Sequence, residues 1–131
     1  MLREDISILV VDDVNSIRVH VKELLRVCGF RKIVTASSGE EAKALLETQP
    51  FQLILCDWHM EPTNGLELLR YVRNHPQFCG IAFILVTAEN TRDRILDAVA
   101  AGVDDYVVKP LTQGQIQNKV YSVLLKRKVL T

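Results

Sequence analysis

The stretch ISILVVDD, residues 6–13, decides the fold of this chain. Its apolar run ends in two aspartates, as in a strand that is buried on both faces and stops at a polar edge of the sheet. Four further β-rich runs follow along the 131 residues, and two of them are also almost continuously apolar. The five predicted strands are Ile6–Val11, Ile33–Thr35, Leu53–Cys56, Phe83–Val86 and Tyr106–Val108.

Segments with helical spacing separate the strands. Ile17, Val21 and Leu25 recur every four positions, as on one face of an amphipathic helix, and Ile116 and Val120 begin the same pattern near the C-terminus. Five alternations of strand and helix favour an α/β fold in which helices cover both faces of a doubly wound, parallel five-stranded sheet. No linker or repeat interrupts the pattern, so residues 1–131 are interpreted as one domain.

Short polar motifs predict where helices begin and end. Gly29 and Gly102 follow helical runs, where a left-handed residue is favoured. Three pairs precede helical runs with the spacing of a capping box: Ser38 with Glu41, Asn64 with Glu67, and Thr112 with Gln115.

Charge and hydropathy exclude several classes of protein. Lys and Arg total 16 and Asp and Glu total 16, so the chain lacks the basic surface of a nucleic-acid or membrane-surface binder. The longest apolar runs have four to six residues, far below the roughly 20 that span a bilayer. The acidic start of the chain, MLRED, has no apolar signal core, so a cytoplasmic location is expected.

The three cysteines predict neither a disulfide framework nor a zinc site. Cys28, Cys56 and Cys79 form no CxxC pair, and the three histidines also lack ligand spacing. Each cysteine lies in or beside an apolar stretch, where a free thiol behaves as a small hydrophobe. All three are therefore expected in the core.

Polar residues follow four of the predicted strands. Function in such a sheet gathers beyond the carboxyl ends of the strands, and parallel strands place those ends at one edge. We therefore expect one cleft to hold the residues that follow the strands: Asp12, Asp13, Asp57, Thr87 and Lys109.

The predicted cluster of carboxylates needs compensation. Two carboxylates about 4 Å apart repel by roughly 4 kcal/mol at an effective dielectric of 20, so the site should raise one pKa or recruit a cation. Carboxylate oxygens at an open cleft suit Mg²⁺, which keeps several waters. With a metal, the Lys109 ammonium and the Thr87 hydroxyl around it, Asp57 becomes a candidate nucleophile for phosphoryl transfer.

The sequence resembles the receiver domain of two-component response regulators over essentially its whole length, and most closely the single-domain regulators of chemotaxis. The segments that carry the resemblance are ILVVDD (8–13), DW (57–58), GLELL (65–69), VTAE (86–89) and YVVKP (106–110). The resemblance implies the flavodoxin-like (βα)5 fold with strand order 2-1-3-4-5.

The resemblance also implies roles at matching positions. Asp57 would accept the phosphoryl group, and Lys109 would pair with it. Mg²⁺ would be bound by Asp13, Asp57 and the backbone carbonyl of His59, with Asp12 acting through water. The Lys109–Pro110 bond would be cis, an isomer found in about 5–6% of X-Pro bonds in folded proteins.

A signalling role follows from the same resemblance. The donor would be the phosphohistidine of a histidine kinase. Thr87 would then move to bond the phosphoryl group, and Tyr106 would turn inward and change the surface of the fourth helix, fifth strand and fifth helix. That surface would bind a downstream protein, the flagellar motor switch protein if the role is chemotactic. The chain would act as a monomeric switch that catalyses only its own phosphorylation and dephosphorylation, and not as an enzyme.

The loop after Asp57 departs from the family pattern. Proline usually occupies the position of Glu61, whereas here it follows at Pro62, and Asn64 replaces the usual acid before the glycine. Glu61 thus adds a carboxylate near the metal site. His59 and Glu89 lie two residues after Asp57 and Thr87, at positions that tune dephosphorylation in the family, although His59 is interpreted as an exposed loop residue.

Two rival classes fit less well. A flavodoxin-like cofactor binder needs a phosphate-cradling first loop, which the aspartates here would repel. A haloacid-dehalogenase-type phosphatase needs an acid two residues after its nucleophile, and Val14 stands there. Two readings stay open: a receiver domain of a larger regulator, such as a DNA-binding protein or hybrid kinase, and a pseudo-receiver that binds partners without phosphorylation.

Overall fold

The computed structural model describes residues 1–88 and 91–130. After a 3₁₀ turn at Arg3–Asp5, strands and helices alternate throughout. The strands are β1 Ser7–Val11, β2 Lys32–Ala36, β3 Leu53–Asp57, β4 Ala82–Thr87 and β5 Asp105–Val108. The helices are α1 Asn15–Val27, α2 Gly39–Thr48, α3 Gly65–Asn74, α4 Arg92–Ala100 and α5 Gln113–Lys126.

The five strands form one parallel sheet in the order β2-β1-β3-β4-β5, which confirms the predicted fold. The central strand β3 is buried along its whole length, as is β4, because helices cover both faces of the sheet. The apolar clusters place α1 and α5 on one face and α2, α3 and α4 on the other. This packing aligns the carboxyl ends of all strands at one edge.

The helix caps differ slightly from the sequence prediction. Asn64 and Thr112 form complete capping boxes at the starts of α3 and α5. At α2 the Ser38 side chain accepts the Glu41 N–H as expected, but the Glu41 carboxylate accepts from the backbone and hydroxyl of Ser37 instead. A second serine directly before the cap therefore takes the carboxylate that would have completed the box.

Two glycines end helices in the left-handed region. Gly29 follows α1 with φ +98° and Gly102 follows α4 with φ +93°. Residues with a Cβ pay for this conformation, so both positions favour glycine. The predicted helix ends are confirmed at both sites.

One prediction about the cysteines was wrong. Cys28 and Cys56 are buried, but Cys79 is exposed. It lies in the turn between α3 and β4, where its thiol contacts the Pro76 carbonyl oxygen at 3.8 Å. The neighbouring Phe78 fills the core position in this segment. Measured over the described residues, every helix is too short or too polar to span a lipid bilayer.

Candidate functional site

The sheet brings the predicted site residues to one edge. Asp12 follows β1, while Asp57 and Thr87 are the last residues of β3 and β4, and all three side chains are buried. Lys109 follows β5 and is about a quarter exposed (25%). Asp13 is exposed beside them at the rim of the cleft. The parallel arrangement of the strands thus places acidic, hydroxyl and ammonium groups around one opening.

Three carboxylates cluster at this edge, and one ammonium forms ion pairs with two of them. One oxygen each from Asp12, Asp13 and Asp57 falls within a group whose members are all less than 4.8 Å apart. Lys109 Nζ lies 3.3 Å from Asp57 Oδ1 and 3.9 Å from Asp12 Oδ2. A single lysine thus offsets part of a threefold negative charge, and the site retains excess negative charge.

The Asp57 carboxylate has unused acceptor capacity. Its Oδ1 is buried and accepts no hydrogen bond from the described part of the chain, since Lys109 approaches as an ion pair without hydrogen-bond geometry. Most buried carboxylate oxygens in native proteins have such a partner. An oxygen left open beside two further carboxylates suits a hard divalent cation, so the residues present fit Mg²⁺.

The environment of Asp12 shows how crowded the site is. Burial raises the pKa of this carboxyl above its ordinary value, and the neighbouring Asp57 and Asp13 charges raise it further. The Val14 N–H, which donates to Asp12 Oδ1 at 2.9 Å, and the Lys109 ammonium act in the opposite direction. A cation bound among the three acids would relieve the repulsion that adds to the effect of burial on this pKa.

The backbone of Asp12 is anchored on both sides. Its N–H donates to the Ala36 carbonyl at the end of β2, at 3.1 Å, and its carbonyl accepts from Arg18 Nη1 at 2.6 Å. The Val14 N–H then closes a turn onto the carboxylate itself. These bonds hold the side chain at the end of β1 without using its second oxygen.

A glycine allows the segment after Asp57 to pack closely against α3. The Trp58 N–H donates to the Val86 carbonyl oxygen at 2.8 Å, and the Trp58 carbonyl oxygen accepts from the Gly65 N–H at 2.9 Å. A Cβ on Gly65 would lie 2.4 Å from the Asp57 carbonyl oxygen, which is closer than real contacts allow. Position 65 therefore requires glycine, because only a residue without a Cβ lets the end of β3 pack against the start of α3.

The loop that departs from the family pattern forms one wall of the cleft. His59 is exposed and lines this wall together with Glu61 and Pro62. Thr63 donates a hydrogen bond to the Glu40 carboxylate, which ties the loop to the first turn of α2. The Glu61–Pro62 peptide bond is cis.

The β5–α5 side contains the remaining predicted site residues. The Lys109–Pro110 peptide bond is cis, and the Lys109 N–H donates to the Thr87 carbonyl at 2.9 Å. Tyr106 is half-buried on β5. Glu89 lies outside the described residues. Thr87 therefore lies beside the end of β5, opposite Val108 and next to Lys109. Tyr106 lies two residues before that end of β5.

Two contacts at the site were not predicted from the sequence. The Arg94 guanidinium on α4 lies over the Trp58 ring, 5.3 Å from its centroid. Lys119 Nζ on α5 lies 5.3 Å from the Tyr106 ring centroid and 3.1 Å from Asp105 Oδ1. Each cation belongs to a different element from the ring that it covers, so the sequence around either ring gives no signal for the contact.

Comparison with known proteins agrees with this geometry. The family model described as the response regulator receiver domain matches residues 8–121. A curated relative, the chemotaxis protein CheY of Pseudomonas aeruginosa, is 38% identical over 117 residues, which cover 89% of this chain and 94% of the relative.

Solved structures share the fold. The chemotaxis protein CheY4 of Vibrio cholerae has a TM-score of 0.85 at 28% identity, covering 91% of this chain and 98% of that one. A probable two-component response regulator/GGDEF domain protein has a TM-score of 0.87 at 26% identity, and the match covers 96% of this chain but 52% of that protein. On the strength of the family match and the curated relative, the chain belongs to the response regulator receiver domain family, a family of signalling domains.

Proposed function

We propose that the chain is a phosphorylation-activated signalling switch in which Asp57 accepts a phosphoryl group from a histidine kinase. One observation carries the proposal: the buried Oδ1 of Asp57 accepts no hydrogen bond from the described residues and lies 3.3 Å from the Lys109 ammonium. A nucleophilic carboxylate needs such an open oxygen, with a cation nearby to receive the charge of the incoming group.

The chemistry is a displacement at phosphorus. An Asp57 oxygen attacks the phosphorus of the donor's phosphohistidine, and the bond from phosphorus to the imidazole nitrogen breaks. The electron pair of that bond leaves with the imidazole, which takes up a proton from solvent. The product is an acyl phosphate on Asp57, and no oxidant or reductant takes part.

Three carboxylates would hold the metal cofactor. Asp13 and Asp57 would bind Mg²⁺ directly together with the backbone carbonyl of His59, and Asp12 would act through water. The ion supplies neutralising charge to the carboxylates and to the phosphoryl oxygens. Asp12 and Asp57 lie at the ends of β1 and β3 with buried side chains, and this placement supports the assignment.

Lys109 and Thr87 would stabilise the modified state. A phosphoryl group adds about −1.5 to −2 charges beside Asp57, and the Lys109 ammonium already lies within ion-pair distance of that side chain. Thr87, at the end of the adjacent strand, would donate its hydroxyl to a phosphoryl oxygen. Both residues therefore act on the product and on the transition state that leads to it.

Tyr106 would transmit the change to the surface. Once Thr87 moves toward the phosphoryl group, the space behind it admits the Tyr106 ring, which would turn inward. The surface formed by α4, β5 and α5 would then bind a downstream protein. A bias of a few kcal/mol between the two arrangements is enough for such a switch.

The relative named for chemotaxis supports a role in that pathway. At 38% identity over most of both chains, the Pseudomonas protein is similar enough to suggest the flagellar motor switch protein as the downstream target. The switch would then be a cytoplasmic monomer that binds neither nucleic acid nor membrane directly.

A second assignment is a receiver domain within a larger regulator. The match to a response regulator/GGDEF domain protein covers 52% of that protein, so this fold also occurs beside an output domain. The phosphoryl chemistry would be the same, but the surface of α4, β5 and α5 would contact another domain of the same protein.

The first experiment is an intact-mass measurement after incubation with acetyl phosphate and Mg²⁺, with Asp57→Asn as the control. We expect one Mg²⁺-dependent phosphate adduct that is absent from the variant. If neither protein gains the adduct, the chain is a pseudo-receiver, and Glu61 and Pro62 are the first residues to replace.

A further inference from the structure

A second charged surface lies at the amino ends of the strands, on the opposite edge of the sheet from Asp57. There the 3₁₀ turn before β1 lies beside the end of α1 and the segment that leads into β2. Two adjoining grooves of about 380 and 360 Å³ share Gly29 and Arg31 in their linings. We call the pair the basic groove, and its lining includes Leu2, Arg3, Glu4, Arg26, Val27 and Arg31.

The positive charges of the basic groove are not neutralised by the described part of the chain. Arg26 and Arg31 are exposed, and neither side chain forms an ion pair or a hydrogen bond there. Arg3 donates through Nη1 to the carbonyl oxygen of Cys28 and to the hydroxyl of Tyr121, which are neutral groups. The one acid among the described lining residues is Glu4, so the basic groove has an excess of positive charge.

The backbone that carries Arg26 and Arg31 is fixed. Gly29 ends α1 with φ +98°, and its N–H donates to the Arg26 carbonyl oxygen at 2.9 Å. The Phe30 N–H donates to the Leu25 carbonyl oxygen at 3.2 Å, and the Phe30 side chain is buried. Both arginines therefore extend from an ordered turn. Binding through them would order only their side chains, which limits the loss of conformational entropy.

Two exposed apolar side chains lie in the same groove as the arginines. Leu2 is 62% exposed and Val27 is 66% exposed. Single exposed apolar residues are common on protein surfaces, but these two line a concave surface together with cations. A ligand that carries carboxylates beside an apolar side chain would match both features. Guanidinium groups bind carboxylates through two parallel hydrogen bonds, and the apolar contact removes hydrophobic surface from water.

Other anionic partners match the basic groove less well. Membrane surfaces are bound by clusters of about four to eight Lys and Arg, whereas the groove has three arginines and the Glu4 carboxylate. Single-stranded nucleic acids stack their bases on accessible aromatic rings. The aromatic residue in the lining, Phe30, is buried. An acidic peptide therefore fits the groove better than a lipid surface or a nucleic acid.

We infer that the basic groove docks an acidic peptide segment of a partner protein. Carboxylates of the segment bind Arg26 and Arg31, and an apolar side chain packs against Leu2 and Val27. This surface is separate from the one formed by α4, β5 and α5. The inference does not rest on the reaction at Asp57, because the groove lies at the opposite edge of the sheet.

The test is a titration of the full chain with the capped peptide Glu-Asp-Leu-Asp-Glu at low ionic strength, followed by amide chemical shifts. We expect shifts at Val27, Gly29 and Arg31 that weaken in high salt. The double variant Arg26→Gln/Arg31→Gln should raise the dissociation constant about five- to tenfold. The neutral peptide Gln-Asn-Leu-Asn-Gln should not bind.

Two variants control for net charge and for the apolar contact. Arg70→Gln/Arg92→Gln removes two exposed arginines from α3 and α4 that do not line the groove, and it should bind like the wild type. Val27→Ser should weaken binding of the leucine peptide and leave that of Glu-Asp-Ala-Asp-Glu unchanged. All substituted side chains are exposed, so the amide spectra away from the groove should stay the same.

Three results would overturn the inference. The first is that the acidic peptide shifts no amide of the groove at millimolar concentration. The second is that the two double variants weaken binding equally, because that pattern indicates a nonspecific response to net charge. The third is that phosphatidylserine vesicles or single-stranded DNA bind through Arg26 and Arg31 more tightly than the peptide does, which would assign the groove to another class of partner.

Discussion

Lys109 Nζ lies 3.3 Å from Asp57 Oδ1, although that oxygen accepts no hydrogen bond from the described chain. The contact is an ion pair between a buried carboxylate and a partly exposed ammonium. Such a pair offsets charge without filling the acceptor sites of the oxygen. The carboxylate therefore stays available to a metal ion or a phosphorus atom.

Removing the lysine should destabilise the protein. We expect Lys109→Ala to lower the free energy of unfolding by about 1 kcal/mol, because the buried Asp12 and Asp57 charges lose their shared partner. Urea denaturation at neutral pH without divalent ions measures the change. Adding Asp57→Asn in the same background should restore the stability, and a double variant no more stable than Lys109→Ala would contradict the charge explanation.

The same variant should separate phosphorylation from signalling. Lys109→Ala is expected to keep its fold but to lose the conformational change at α4, β5 and α5 that follows phosphorylation. Hydrogen exchange of this surface, with and without the phosphoryl group on Asp57, measures the coupling. An exchange difference as large as that of the wild type would remove Lys109 from the switch.

Magnesium should be visible through the single tryptophan. Trp58 adjoins Asp57 and lines the cleft with Asp13, so millimolar Mg²⁺ should quench or shift its fluorescence and raise the melting temperature. Asp13→Asn should raise the Mg²⁺ concentration that is needed for both responses at least about tenfold. If fluorescence, melting temperature and calorimetry all show no binding to the wild type, the metal site is absent.

The three thiols should differ in reactivity. Burial raises the pKa of Cys28, and it raises the pKa of Cys56 further, with the Asp57 charge adding to the effect. A raised thiol pKa keeps the sulfur protonated to higher pH, so neither buried cysteine should gain reactivity between pH 7 and 9. A chromogenic disulfide reagent should titrate one fast thiol in the native protein, none in Cys79→Ser, and all three in denaturant.

Lys119 should restrain the proposed switch residue. Its ammonium contacts the Tyr106 ring and the Asp105 carboxylate, which also accepts the Tyr106 N–H. Contacts of this kind contribute about 0.5–1 kcal/mol, so Lys119→Met should change the ratio of Tyr106 orientations by a few-fold.

Fluorine spectra of 3-fluorotyrosine-labelled protein would report this change, with Tyr106→Phe to assign the signal. Lys126→Met, on an exposed position of the same helix, is the matched control. Identical Tyr106 signals in the Lys119 and Lys126 variants would show that the ring is held by other contacts.

Local sequence patterns were enough to predict the strands and helices and to identify the polar end of each buried strand. A continuously apolar run followed by Asp12 or Asp57 identifies a buried strand and its polar edge, because burial on both faces leaves no polar positions within the strand. The periodicity predicted a parallel sheet but not its strand order, which came from the resemblance to the receiver family. Strand order depends on which elements pair across long sequence separations.

Tertiary structure decided the details of the site. No local pattern indicates that Asp57 Oδ1 lacks a hydrogen bond, that Arg94 lies over Trp58, or that Cys79 faces solvent. Each depends on distances between atoms far apart in the chain. Residue type and spacing determine which side chains of a segment are buried. The packing of the helices on the sheet determines which charged groups and aromatic rings come into contact at the carboxyl edge of the sheet.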